Sequence, residues 1–125
     1  MKIEVSNGEI LDKYSILMIK KNRITNVDKL LNVQNEIEEL YPHLIALMNA
    51  PEIALLYDQL YTVNETLWVI EDDIREHERN KNFNEEFISL ARAVYKTNDV
   101  RAEIKKQINI ITQSSLVEEK SYESY

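Results

Sequence analysis

Between Leu67 and Glu78 the chain reads LWVIEDDIREHE, and Asn64, Trp68, Glu71, Arg75 and Glu78 recur there at alternating steps of four and three. That spacing lays an amide, an indole, two carboxylates and a guanidinium along one stripe of a helix. Beside it, Val63, Leu67, Ile70, Ile74 and His77 keep the same rhythm and form the face turned to a core. A second polar stripe follows in Ala91, Tyr95, Asn98, Ala102, Lys105 and Asn109, flanked by Arg92, Asp99 and Arg101. If the two helices pack antiparallel, a turn near Asn82 brings Glu78 and Arg75 toward Arg92 and Tyr95, with Asn98, Arg101 and Lys105 lying towards Trp68 and Asn64. The chemistry on offer is recognition of an anion. Arg75, Arg92, Arg101 and Lys105 would donate to it, Glu71 and Glu78 would orient the donors, and Trp68 or Tyr95 would give a stacking platform, with Asn98 and Asp99 alongside. The competing use of the same residues is an interhelical ion-pair network that sets bundle register and takes no ligand.

Other chemistry is poorly served. Glu36 and Glu39 stand three apart on one helix face, and with Glu71 and Asp72 they resemble the Mg²⁺-binding carboxylates of all-α nucleotide pyrophosphohydrolases. The second pair is adjacent and far along the chain, where that chemistry needs another three-residue step. The acidic residues therefore read as a solvated face, and no cofactor is expected. His77 lies four residues after Asp73 without a second His or Cys nearby, and His43 follows Pro42 at an expected kink. Ser89 has no neighbouring His and Ser6 has a capping role, so no nucleophile–base pair can be named. The single Gly excludes phosphate loops built from several glycines. Lys13 and Lys20 read as surface lysines lying along apolar neighbours, unless the first helix closes over the seam and takes Asp12 and Lys13 into it. Tyr57 and Tyr61 extend the Trp68 stripe and read as core or interface.

The elements that must carry these residues are helical. The 125 residues are 44% hydrophobic and 30% charged, with one Gly and two Pro, too little turn chemistry for hairpins. No Cys is present, which removes disulfides and thiolate metal sites. The net charge of −7 argues against a nucleic-acid surface. No apolar run reaches spanning length and MKIEVSNGE lacks the pattern of a signal peptide, so no membrane association and a cytoplasmic location are expected.

Ser6 and Glu9 form a capping box, Thr25 and Asp28 repeat the signal, Pro51 suits a first helical turn, and Asn84 suits a cap. Helices are predicted over roughly residues 9–23, 26–48, 51–80 and 85–112, with Pro42 bending or breaking the second. A short extended arm at Ile3 and Val5 precedes them. The expected architecture is all-α, a four-helix antiparallel bundle occupying 1–113 and followed by a flexible tail, 114–125. The third helix is much longer than the first, and apolar surface left uncovered on it predicts a homodimer.

The segments GEILDKYSILMIKKNRI, NETLWVIEDDIREHE and EEFISLARAVYKTNDVRAEIKKQIN resemble a small uncharacterised family of bacterial and viral proteins, a domain of unknown function. The elements LW-x-IED-x-IR-x-x-E and AR-x-VY-x-x-ND-x-RA occur in order, and the likeness runs to about Asn109. It implies an all-helical domain without an assigned reaction. Asp12, Lys13, Asn64 and Asp72 join the seam residues among the positions that carry the family look. The reading is a helical binding or assembly module. The alternative is an enzyme or sensor acting on a phosphorylated, nucleotide-like or sugar-phosphate molecule at the seam.

Overall fold

A computed structural model describes all 125 residues. Four helices form an all-α bundle: α1 (Asn7–Arg23), α2 (Val27–Leu47), α3 (Pro51–Arg79) and α4 (Glu85–Ile111). Each boundary has a local cause. Ser6 Oγ accepts from the Glu9 amide at 3.1 Å, so α1 starts two residues ahead of the predicted position. The capping box is only half made, because the Glu9 carboxylate does not turn back but reaches Lys105 at 2.7 Å. Asn26, and not Thr25, caps α2 by accepting from the Lys29 amide at 3.0 Å. Pro51 opens α3 where a missing N–H costs nothing, and Asn84 accepts from Phe87 to open α4.

Pro42 does not break α2, which continues to Leu47. Pro42 and Glu38, whose carbonyl loses its helical partner, are both exposed, so water can serve that carbonyl.

Helix α1 is the hub, packing against each of the other three. It is accordingly buried around most of its circumference, through Gly8, Leu11, Asp12, Tyr14, Ser15, Leu17 and Ile19. Leu11, Tyr14 and Leu17 meet Val33, Ile37 and Leu44 of α2, Ile53, Leu56 and Leu60 of α3, and Ile104 and Ile108 of α4 in one core. Burying such side chains contributes about 1.5–3 kcal/mol each, which is what holds the hub helix in place.

Helices α3 and α4 form an antiparallel hairpin. Lys81 takes a left-handed conformation (φ 53°), and the Asn82 amide donates to the His77 carbonyl to close α3. Between Leu67 and Ile104 no residue is fully buried. The hairpin thus extends past the core as a two-helix arm with a half-buried seam that includes Ile70, Ile74, His77, Phe87, Leu90 and Val94. After α4 the chain reverses at Gln113 (φ 52°) and runs irregularly back along that helix. No helix is long and apolar enough to cross a membrane.

Candidate functional site

Gly8 decides how closely α1 and α4 approach. A Cβ there would lie 2.5 Å from the Lys105 carbonyl oxygen and 2.9 Å from Asn109 Oδ1, so only glycine fits this contact. The Gly8 amide, one of the unpaired donors of a helix start, donates to the buried Asn109 Oδ1 at 2.6 Å. Asn7 adds a backbone bond to Ser114 Oγ and a side-chain bond to Thr112 Oγ1.

One turn further along α1, the close approach delivers Asp12 to α4. Its carboxylate is 1% exposed and receives Arg101 in a bidentate grip, Nε to Oδ1 at 2.8 Å and Nη2 to Oδ2 at 2.5 Å. Asn64 of α3 donates through Nδ2 to the same Oδ1 at 2.9 Å and to Ser15 Oγ at 2.7 Å. The Ser15 hydroxyl in turn donates to the Asp12 carbonyl. Lys105 Nζ stands 3.8 Å from Asp12 Oδ2 and donates to Glu9 and to Glu118. Three helices are therefore tied at one point, with every buried side-chain nitrogen and oxygen satisfied.

Electrostatics keep both cations charged. Hydrogen bonding to Asp12 raises the Arg101 pKa against the opposing pull of burial. For Lys105 burial acts downward as the largest single influence, but its hydrogen bonds to Glu9 and Glu118 and the nearby Asp12 charge together lift it above the ordinary lysine value. The chemistry follows from the saturation. Asp12 accepts donors on both oxygens and acts as an anchor, not a base, while the Ser15 hydroxyl is committed in both roles and is no nucleophile.

The outer side of the cluster is open. A polar cleft of about 240 Å³ is lined by Asn98, Arg101, Ala102 and Lys105 of α4 and by Glu118 and Lys120 of the following segment. It adjoins a larger groove of about 880 Å³ that Tyr95, Asp99 and Lys106 share with Tyr122 and Tyr125.

Of the residues singled out from the sequence, Asn98, Arg101 and Lys105 converge here, and Tyr95 and Asp99 line the adjoining groove. Ala102 lines the cleft with them, Asn64 and Asn109 belong to the cluster behind it, and Trp68, Glu71, Arg75, Glu78 and Arg92 lie elsewhere. Arg75 pairs with Glu71 and Glu78 with Lys81, both exposed and local along the chain, so the charge pairing expected between these residues and Arg92 across α3 and α4 is not formed. Trp68 is half-buried and Arg92 exposed. Lys13 turns to Glu36 of α2 at 3.6 Å, away from the cleft, although Asp12 beside it is the centre of the cluster. His77 Nδ1 contacts the Asp73 carbonyl, and its Nε2 lies 3.6 Å from Glu86. No three His, Cys, Asp or Glu residues come together as a metal-binding group.

Gly8, Glu9, Ser15, Asn109 and Glu118 were not read from the sequence as site residues. A signal for some of them exists: Gly8, Asp12 and Ser15 lie at steps of four and three, a small, polar stripe on a helix otherwise rich in apolar residues.

Fold and cluster together define an all-α bundle pinned by a buried charge network, with a polar cleft on its outer edge. The chain belongs to DUF6165, a family of unknown function whose model matches residues 1–125. No curated protein and no solved structure matches it.

Proposed function

We propose that this protein is a binding module for a small anion of phosphate-like chemistry, taken at the cleft whose floor is Asn98, Arg101 and Lys105. One observation carries the reading. Lys105, with an 11% exposed side chain, donates to Glu9 at 2.7 Å, lies 3.8 Å from Asp12, and donates outward to a carboxylate of the cleft wall, Glu118 Oε2, at 3.0 Å. The outward donor thus already holds an anionic oxygen. Arg101 is held from behind by Asp12, and its Nη1 has only a long contact, 3.4 Å to Asn98 Oδ1, on the cleft side. Two pre-oriented cations facing one cleft suit charge-assisted hydrogen bonds to a phosphate group. The net charge of −7 supplies no long-range attraction for a polyanion, which favours a small ligand held by local contacts. A phosphorylated metabolite in the cytoplasm fits this chemistry. The reading is one of binding, and it assigns no reaction.

The test is urea unfolding of the wild type and of Lys105→Met, with folding of the variant checked by circular dichroism. Phosphate at fixed ionic strength is expected to raise the wild-type midpoint by mass action and to leave Lys105→Met unmoved. A wild type that responds to phosphate no more than to matched chloride would refute the site.

A second reading, self-association, rests on the arm. Val69, Ile88, Tyr95 and Val100 are between 43% and 54% exposed on α3 and α4, in the stretch where neither helix reaches the core. An isologous pairing of two arms would cover such surface. Light scattering at micromolar concentration is expected to return twice the chain mass, and a persistent monomer would remove this reading.

A further inference from the structure

The segment after α4 is held by ion pairs and an aromatic contact at its surface. Its Glu118 stands on Lys105 and its Glu119 on Lys106, at 3.0 and 3.1 Å. Further along, the Tyr125 ring meets Tyr95 edge-on, with centroids 5.4 Å apart, and the Asp99 carboxylate beside its hydroxyl pushes the Tyr125 pKa up. Ser115 adds a bond to Glu4 at 3.3 Å. None of these contacts enters the core. Leu116, Val117, Tyr122 and Tyr125 remain 41–80% exposed, and the side chains of Glu118 and Glu119 are more than half exposed. Ion pairs whose carboxylate stands more than half in water, with no core contact behind them, hold a segment only weakly.

The weak hold matters because of where it falls. Glu118 and Lys120 form the outer wall of the cleft, whereas Asn98, Arg101 and Lys105 form its floor. The Glu118 carboxylate takes a Lys105 donor on the cleft side, and the Tyr125 ring meets Tyr95 in the adjoining groove.

We infer that the segment Leu116–Tyr125 is an intramolecular competitor for the anion cleft, with Glu118 standing where the ligand's anionic oxygen stands. This rests on the anion-binding reading given above and adds its regulation. Ligand and segment exclude one another, so the apparent affinity is the intrinsic one reduced by the fraction of molecules in which the segment has lifted. Anything that weakens the two carboxylate contacts tightens ligand binding, and ligand binding frees the segment.

The experiment uses the full chain. Inorganic phosphate is titrated by calorimetry, at fixed ionic strength, into wild type, into Glu118→Gln/Glu119→Gln, and into Glu38→Gln/Glu39→Gln. The last removes the same charge from α2, remote from the cleft. The Glu118/Glu119 variant is expected to bind phosphate roughly three- to tenfold tighter than the α2 control, as the two ion pairs that hold the segment are lost. In the wild type, saturating phosphate is expected to speed tryptic cleavage after Lys120 several-fold, read by mass spectrometry. Equal phosphate affinity in the two variants, or cleavage after Lys120 that phosphate does not change, overturns the competitor while leaving the cleft standing. Absence of phosphate binding in all three proteins overturns the cleft and the competitor together.

Discussion

Replacing Arg101 by Met leaves Asp12 without the bidentate partner that compensates its burial. The carboxylate is 1% exposed, and it loses the 2.8 and 2.5 Å bonds at once while keeping Asn64 at 2.9 Å and Lys105 at 3.8 Å. Breaking a buried pair from one side costs about 3–5 kcal/mol. Because Lys105 remains within Coulombic reach, the lower end applies, about 3 kcal/mol. For a chain of 125 residues that corresponds to a fall in Tm of roughly 11 °C. The control is Arg75→Met, whose guanidinium is 64% exposed and pairs with Glu71 one turn away, so its loss should cost only about 0.3–0.5 kcal/mol. Urea midpoints and slopes of the wild type and both variants measure the difference directly. Adding Asp12→Asn to Arg101→Met removes the stranded charge and should recover at least about 1 kcal/mol, the sign of a coupled pair. If Arg101→Met cost no more than Arg75→Met, or if Asp12→Asn brought a further loss of stability and no recovery, Asp12 would not be the buried charge that Arg101 holds.

Gly8→Ala should destabilise the fold by about 1–3 kcal/mol despite alanine's better helix propensity, because the new methyl meets the Lys105 backbone at 2.5 Å; an unchanged urea midpoint would contradict that. Asn109→Leu strands the Gly8 amide and should cost about 1–3 kcal/mol, with faster hydrogen exchange at Gly8 as the local signature. Burial, seconded by the neighbouring Tyr14, Tyr61 and Asp58, raises the Tyr57 pKa, and burial also raises that of Tyr14. A folded-state pKa above the unfolded value means stability that is full below about pH 10 and lost as pH rises through the folded value. Ultraviolet titration should therefore show three of the seven tyrosines ionising late, Tyr14 and Tyr57 together with unfolding and Tyr125 through its bond to Asp99, and Tyr57→Phe should shift the alkaline transition upward. Lys105, also raised, contributes loss in the same direction above its unfolded pKa of about 10.5, so Lys105→Arg should retain more stability at high pH than the wild type.

Helix positions were legible because their causes are local. Ser6, Pro51 and Asn84 act on amides within their own first turn, so caps and periodicity together place α1, α3 and α4 to within two residues. Where a local signal had a close rival, the sequence misled: Thr25 and Asn26 are both capping residues, and it is Asn26 whose side chain accepts from the Lys29 amide. Pro42 was expected to bend or break its helix from local sterics alone. The break does not occur: α2 runs on to Leu47, with Pro42 and Glu38 both exposed to water, a fact about packing and not about Pro.

The site divides along the same line. The stripe on α4 was readable, since Asn98, Arg101 and Lys105 share a face by helical spacing alone, and so was the stripe on α3. Which stripe would be buried was not readable, because periodicity says which residues share a face and nothing about what covers it. The hub helix made that decision. Gly8 lets α1 close on α4 near Lys105, so Asp12 neutralises Arg101 there, whereas Glu71, Arg75 and Glu78 lie on the arm beyond α1 and pair along their own stretch of chain. Composition and spacing by themselves determined an all-α chain of four helices and the faces they present, since those follow from interactions within a few residues. The meeting of Asp12, Asn64 and Arg101, which are 52 and 89 residues apart from the first, was decided only by the tertiary structure, because a carboxylate leaves water only where packed helices bring its donors to it.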